Sequence, residues 1–164
     1  MRSSEECNNQ TEKYKEYIQN IRRGRKFEAW ERSHWLEGID DGAKFEKQTQ
    51  WNGKKGRIDI ELELSDIGQF VLIELKATDW NKIKSSRIRL TVLRHAKQLE
   101  RYINATEEWF HKEFPNADIF VTSEGIVPAI EYTTPPSEIE SKELIENLLN
   151  DRGMQVVWRE EFVD

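Results

Sequence analysis

The sequence predicts an α/β fold, a mixed central sheet flanked by helices, and three observations carry that expectation. From Arg57 to Leu64, Ile58, Ile60, Leu62 and Leu64 alternate with Asp59, Glu61 and Glu63 at the two-residue period of a strand. The run VLIEL within Phe70 to Ala77 is apolar enough for a central strand covered on both faces. Beyond residue 80, helical and strand patterns alternate, the order expected of helices packed on a sheet.

Residues 11 to 38 read as helical, with Tyr14, Tyr17, Ile18 and Ile21 on one side and Phe27, Trp30, Glu31 and Trp35 following after Gly24. Gly24 and Gly38 are expected to end two successive helices. Phe45 to Trp51 follows as a strand, NGKKG as a turn, and Arg57 to Leu64 as the next strand, with its carboxylates on one face. A turn around Asp66 to Gln69 leads into the apolar strand, from which Glu74 and Lys76 project together. Ile83 to Phe110 is a long helical pattern with Leu90, Leu93, Leu99, Ile103 and Phe110 among its apolar positions, and Pro115 falls just beyond it. Ala117 to Thr122 and Val127 to Tyr132 read as short strands. After Pro135 a helix opens with Ser137 and Glu140 as a capping box. Ile139, Leu144, Leu148 and Leu149 form its buried stripe, and Gly153 ends it. Met154 to Trp158 is the last strand.

At 164 residues the chain is expected to form one domain, 1–164, with residues 1–10 flexible. Charged residues make up 34% and apolar ones 37%, with six Trp, seven Phe and four Tyr, enough aromatic surface for a packed core and against a disordered chain. Cys7 is the only cysteine, which excludes an intrachain disulfide and a thiolate zinc site. The N-terminus lacks an apolar signal region and no stretch approaches bilayer length, so a soluble cytoplasmic protein is expected, with no membrane partner.

The net charge is −6, yet Lys82, Lys84, Arg87, Arg89, Arg94 and Lys97 fall within a segment free of acids, leaving −12 for the rest. That asymmetry suggests one basic face on an acidic protein.

The segment GRIDIELELSDIGQFVLIELKATDW carries the chemistry. Asp59 lies on one strand, and fifteen positions later Glu74 and Lys76 lie on the next, joined by a short turn. Charges in the most apolar strand of a sheet are costly unless each finds a partner or a metal. Two carboxylates on neighbouring strands repel at neutral pH, and a divalent cation between them removes the conflict. A second acid-x-Lys tripeptide, Glu140-Ser141-Lys142, lies in a helical pattern, where residues two apart diverge.

This arrangement resembles the PD-(D/E)XK nuclease superfamily, whose fold is the restriction-endonuclease-like α/β sheet. The resemblance implies Asp59 and Glu74 as Mg²⁺ ligands, Mn²⁺ being able to substitute, together with the backbone carbonyl of Leu75 and an acid of the first helix, here Glu28 with Glu31 as the alternative. It implies Lys76 as the group that orients the attacking water and offsets phosphate charge, in a hydrolysis where metal and lysine stabilise developing negative charge. Ile58 stands where the family name has proline. Gln98 and Tyr102 match the Gln-x-x-x-Tyr motif of RecB-like members and share one helix face. Gln98 is expected to support the site.

Lys82, Lys84, Arg87, Arg89, Arg94 and Lys97 are then candidate phosphate contacts flanking the scissile bond, with Lys54, Lys55 and Arg57 secondary. Asp79 is read as a turn or cap and His95 as structural. Trp30, Trp35, Trp109 and Trp158 are expected to pack in or near the core, while Trp51 and Trp80 lie where a base could stack. The expected function is metal-dependent endonucleolytic hydrolysis of DNA, in a toxin, defence or mobile-element setting. Two alternatives stay open: an RNase or single-strand or end-specific nuclease of the same fold, and a non-catalytic nucleic-acid-binding module. The expected partner is nucleic acid, DNA before RNA, with a second copy or an inhibitory protein as further partners.

Overall fold

A computed structural model of the chain describes residues 4–38, 43–64, 68–117, 119 and 125–163, with the side chains of 4–11, 14 and 35–38 excepted. It is an α/β fold. A mixed five-stranded sheet holds strands β1 (Ala43–Trp51), β2 (Lys54–Leu64), β3 (Gln69–Lys76), β4 (Ile126–Tyr132) and β5 (Gln155–Trp158) in chain order. The first three run antiparallel; β4 and β5 add in parallel. Each parallel step needs a crossover, made by helix α2 (Ser85–Glu113) and then helix α3 (Ile139–Asn150). These two cover one face, where Ile58, Leu72, Leu99, Tyr102, Ile130, Ile145 and Leu149 are buried together. Helix α1 (Ser4–Gly38) covers the other, packing Phe27 and Trp30 on Ile60, Leu62, Ile73 and Leu75, with Phe162 closing the cluster. VLIEL thus runs through the middle of the sheet with apolar layers on both sides. Among the described residues no helix is long and apolar enough to cross a membrane.

Several local expectations are corrected. Gly24 does not end a helix, since α1 runs unbroken from Ser4 to Gly38. A mid-helix glycine costs about 1 kcal/mol against alanine, and the docking of Phe27 and Glu31 on the sheet side outweighs it. The turn between β1 and β2 is only Asn52-Gly53, both at positive φ (48° and 73°), and Lys54 already begins β2. This two-residue hairpin turn matches strand twist. Helix α2 starts at Ser85, after a short 3₁₀ turn Trp80–Lys82, and leaves Leu90 exposed. Ser137 does not cap α3. Its backbone N–H donates to Asn81 Oδ1, with its hydroxyl 2.9 Å from the same atom, while Glu138 holds the cap position and Ile139 is exposed instead of buried. Gly153, at φ 70°, does end the segment after α3. Trp30 and Trp158 pack against the two cores, whereas Trp109 is 40% exposed. Most of the strand expected at Ala117–Thr122 lies outside the described residues, as do the side chains of Cys7, Tyr14 and Trp35.

Strict alternation along β2 also fails at one place. Ile58 packs with the α2 cluster but Ile60 and Leu62 with the α1 cluster, so the strand changes face at Asp59. Opposite it, Glu46 of β1 adopts φ 52°, and the register passes from Phe45 facing Ile60 to Lys47 facing Ile58. Pairing with β3 stops at the same point, spanning only Ile60–Leu64 of β2. The first half of β2 therefore leaves the sheet with β1 as a projecting arm. Gly56 lets that arm rest on α2: a Cβ there would lie 2.8 Å from Tyr102 Cε1. Gly56→Ala is expected to destabilise the fold by roughly 1–3 kcal/mol, as overpacking does, and a melting temperature equal to wild type would refute the contact.

Candidate active site

The face change at Asp59 creates the site. Where β2 parts from β3, the Asp59 side chain takes the place of the missing strand, and its Oδ2 accepts the Leu75 backbone N–H at 2.8 Å. Two residues along β3, Glu74 and Lys76 lie on the α2 side. The Lys76 ammonium donates to Glu74 Oε1 and, at 3.0 Å, to Gln98 Oε1. The Gln98 amide also donates to Glu74 Oε1 at 2.6 Å and to the Tyr102 hydroxyl at 2.9 Å. Residues 98 and 102 share a helix face, so α2 braces Glu74, Lys76 and the arm at once.

Glu74 is 2% exposed and Asp59 8%. Burial raises both carboxyls above their ordinary range. For Glu74 the rise reaches about 7, with Asp59 adding to it and Lys76 opposing it. For Asp59 the Leu75 N–H, Lys76 and Arg57 oppose burial. Glu74 Oε2 is buried and has no hydrogen-bond partner among the described residues. A carboxylate oxygen so placed is expensive without a ligand.

Glu28 lies on the α1 side of the site and reaches Asp59 through an arginine: Arg57 Nη2 is 3.3 Å from Glu28 Oε1 and 3.5 Å from Asp59 Oδ1. Burial, then the nearby Asp59, raise the Glu28 carboxyl. Glu31 points elsewhere, fully buried and 2.8 Å from Arg159 Nε. Among the described residues no group of three or more His, Cys, Asp or Glu side chains is set to hold a metal. Asp59 and Glu74 form a pair, and Glu28 is joined to them by Arg57 instead of completing a triad.

The six basic candidates, Lys82, Lys84, Arg87, Arg89, Arg94 and Lys97, are all exposed, most of them along the first half of α2. Lys97 adjoins Gln98, and Lys82 is 3.2 Å from Asp79 Oδ2. Asp79 precedes the 3₁₀ turn without a side-chain cap bond and also lies 3.9 Å from Arg23. Trp80 is corrected: at 2% exposure, stacked edge-on against Tyr132 and His95, it offers no face to a base. Trp51 stays half-buried at the hairpin turn. His95 is structural, its Nδ1 2.9 Å from the Tyr132 hydroxyl, and burial with Lys76 and Arg94 nearby lowers its pKa to about 3.

The sequence reading missed the bridging role of Arg57, which sits two residues from Asp59 and joins three acids, Glu28, Asp59 and Glu46. Its spacing from Asp59 was the available signal. No protein-family model and no curated protein matches this chain. The assignment therefore rests on the chemistry of these side chains.

Proposed function

We propose that this chain is a metal-dependent nuclease of the restriction-endonuclease-like fold, hydrolysing phosphodiester bonds of DNA in preference to RNA, in a toxin, defence or mobile-element setting. The observation that supports it best is the buried Glu74 carboxylate, whose one oxygen is shared by Lys76 and Gln98 while the other has no partner among the described residues. Asp59 and Glu74 fit a divalent cation, since each is a hard oxygen donor, both are desolvated, and their mutual repulsion is relieved by dication charge. They and the Leu75 carbonyl would hold Mg²⁺ or Mn²⁺. When bound, the ion supplies Lewis-acid polarisation of a phosphoryl oxygen and a more acidic water.

The remaining work falls to the chain's own residues. Lys76, fixed between Glu74 and Gln98, places a positive charge where the attacked phosphate gains negative charge and orients the water that attacks. Gln98 holds that ammonium and Glu74 in one geometry, and Tyr102 holds Gln98. Glu28 and Arg57 supply the α1 side of the site. The basic face of α2 neutralises backbone phosphates without reading bases.

The test is incubation of plasmid DNA, linear DNA and RNA with Mg²⁺ or Mn²⁺, against EDTA and against Glu74→Gln. Cleavage that needs the metal and is lost in the variant is expected; no metal-dependent cleavage of either nucleic acid sinks the reading. Charge reversal at Arg87 and Arg89 should weaken binding and reduce its salt slope by about 1 per lost phosphate contact. An unchanged slope puts that face off the substrate path.

A further inference from the structure

A cavity of about 700 Å³ separates the middle of α1 from the β1–β2 arm. Arg25 and Arg32 line it from the helix and Arg57 from the arm, with Glu28 and Glu46 between them, and Gly24 forms part of the helical wall. The cavity meets the site above through Glu28 and Arg57, the latter 3.5 Å from Asp59.

Three features mark it as a place for an anionic strand. The first is orientation. Arg32 is 3.0 Å from Glu46 Oε2, and Arg57 is 2.7 Å from Glu46 Oε1. A guanidinium has five N–H donors in a fixed fork, so Arg32, held by Glu46, keeps donors to spare, whereas Arg57 also serves Glu28 and Asp59 and brings mainly its charge to the groove. Both side chains stay accessible, 33% and 40% exposed. The second is charge, three cations against two anions in the lining of a chain whose total is −6. The third is Gly24. Glycine disfavours a helix interior, yet an added Cβ here would meet nothing within 4 Å among the described residues, so none of them asks for its absence. A bare backbone instead leaves room for a ligand to lie against the helix.

We propose that this groove is the track of the strand that is cut, its phosphodiester backbone lying along α1 over Gly24 with Arg25, Arg32 and Arg57 as phosphate ligands. The proposal rests on the nuclease reading, and gives that reading a direction: the strand passes between α1 and the arm to reach Lys76, and the basic face of α2 makes outlying contacts.

The experiment is fluorescence anisotropy with a labelled single-stranded DNA oligonucleotide, and an RNA of the same sequence, in Ca²⁺, over a range of salt. Gly24→Gln fills the groove where there is space and favours the helix, so its melting temperature should match or exceed wild type while affinity falls about tenfold. Gly24→Ala, which adds a single methyl to the same wall, should weaken binding less than Gly24→Gln does. Arg25→Glu should weaken binding of both DNA and RNA and flatten the salt slope by about 1. If Gly24→Gln and Arg25→Glu bind as wild type while the wild-type protein cleaves nucleic acid, the groove is wrong and the nuclease stands. Loss on one nucleic acid only would overturn the backbone assignment. A wild-type protein that neither binds nor cleaves either polymer overturns both.

Discussion

Lys76→Ala should lower metal-dependent cleavage about a thousandfold, the upper range for removing one donor that stabilises transition-state charge. The size follows from confinement. Lys76 is 19% exposed and is tied into a hydrogen-bonded triangle with Glu74 and Gln98, which Tyr102 braces through Gln98. No other cation donates a hydrogen bond to Glu74 among the described residues, so none takes its place. Without the ammonium, the Glu74 carboxyl loses the main charge opposing its upward shift and holds its proton to still higher pH. Lys76→Arg should not rescue, because a planar fork cannot occupy the slot of a compact ammonium. Single-turnover rates with saturating Mn²⁺ measure this. Cleavage by Lys76→Ala within tenfold of wild type would remove the lysine from the mechanism.

The second large effect lies away from the site. Arg159 is 2.8 Å from Glu31 and 3.0 Å from Glu131, two glutamates at 0% and 2% exposure, and so fastens the C-terminal segment to α1 and to β4. Arg159→Ala is expected to destabilise the fold by about 3–5 kcal/mol, the usual result of stranding a buried charge. The loss should depend on pH, with a determined sign. Burial and the neighbouring Glu31 raise the Glu131 carboxyl above its ordinary 4.5, and Arg159 opposes them. A raised carboxyl holds its proton in the folded state where the unfolded chain has released it. Its contribution is therefore present below 4.5 and is lost as pH rises through the folded value. Removing Arg159 raises that value further, so urea denaturation should show a smaller deficit at pH 5 than at pH 8. A deficit under 1 kcal/mol, or one equal at both pH values, would refute this account.

Much of the architecture was legible because it depends on periodicity. The β2 and β3 patterns, the apolar centre of VLIEL and the amphipathic α2 and α3 each carry their own period, and the fold assembles them in order. What local pattern hides is interruption. Nothing in the alternation of Ile58 to Leu64 reveals that β2 changes face at Asp59, because the feature that accompanies the change, a positive φ at Glu46, lies on the opposing strand. Gly24 reads as a stop by propensity, yet packing by residues further along α1 carries the helix through. Ser137 carries a capping signature and spends it on Asn81, 56 residues away in sequence. At the site, Asp59, Glu74 and Lys76 were separable from the background because acids and a lysine in apolar strands are costly, and Gln98 came from the resemblance to the Gln-x-x-x-Tyr motif, whereas Arg57 read only as a secondary phosphate contact and Arg159 carried no signal until its partners were placed.

The projecting arm has one more effect, on how the molecules meet each other. Since β3 pairs only with Ile60–Leu64, the inner edge of β2 from Lys54 to Asp59 pairs with no strand among the described residues, and an unpaired edge is a template for strand addition between copies. Lys54 and Lys55 along that edge discourage self-association by repulsion, and Tyr102 crowds it at Gly56. Neutralising those cations to study substrate affinity would thus also lower a barrier to clumping, and such variants call for light scattering before any loss of activity is attributed to the substrate.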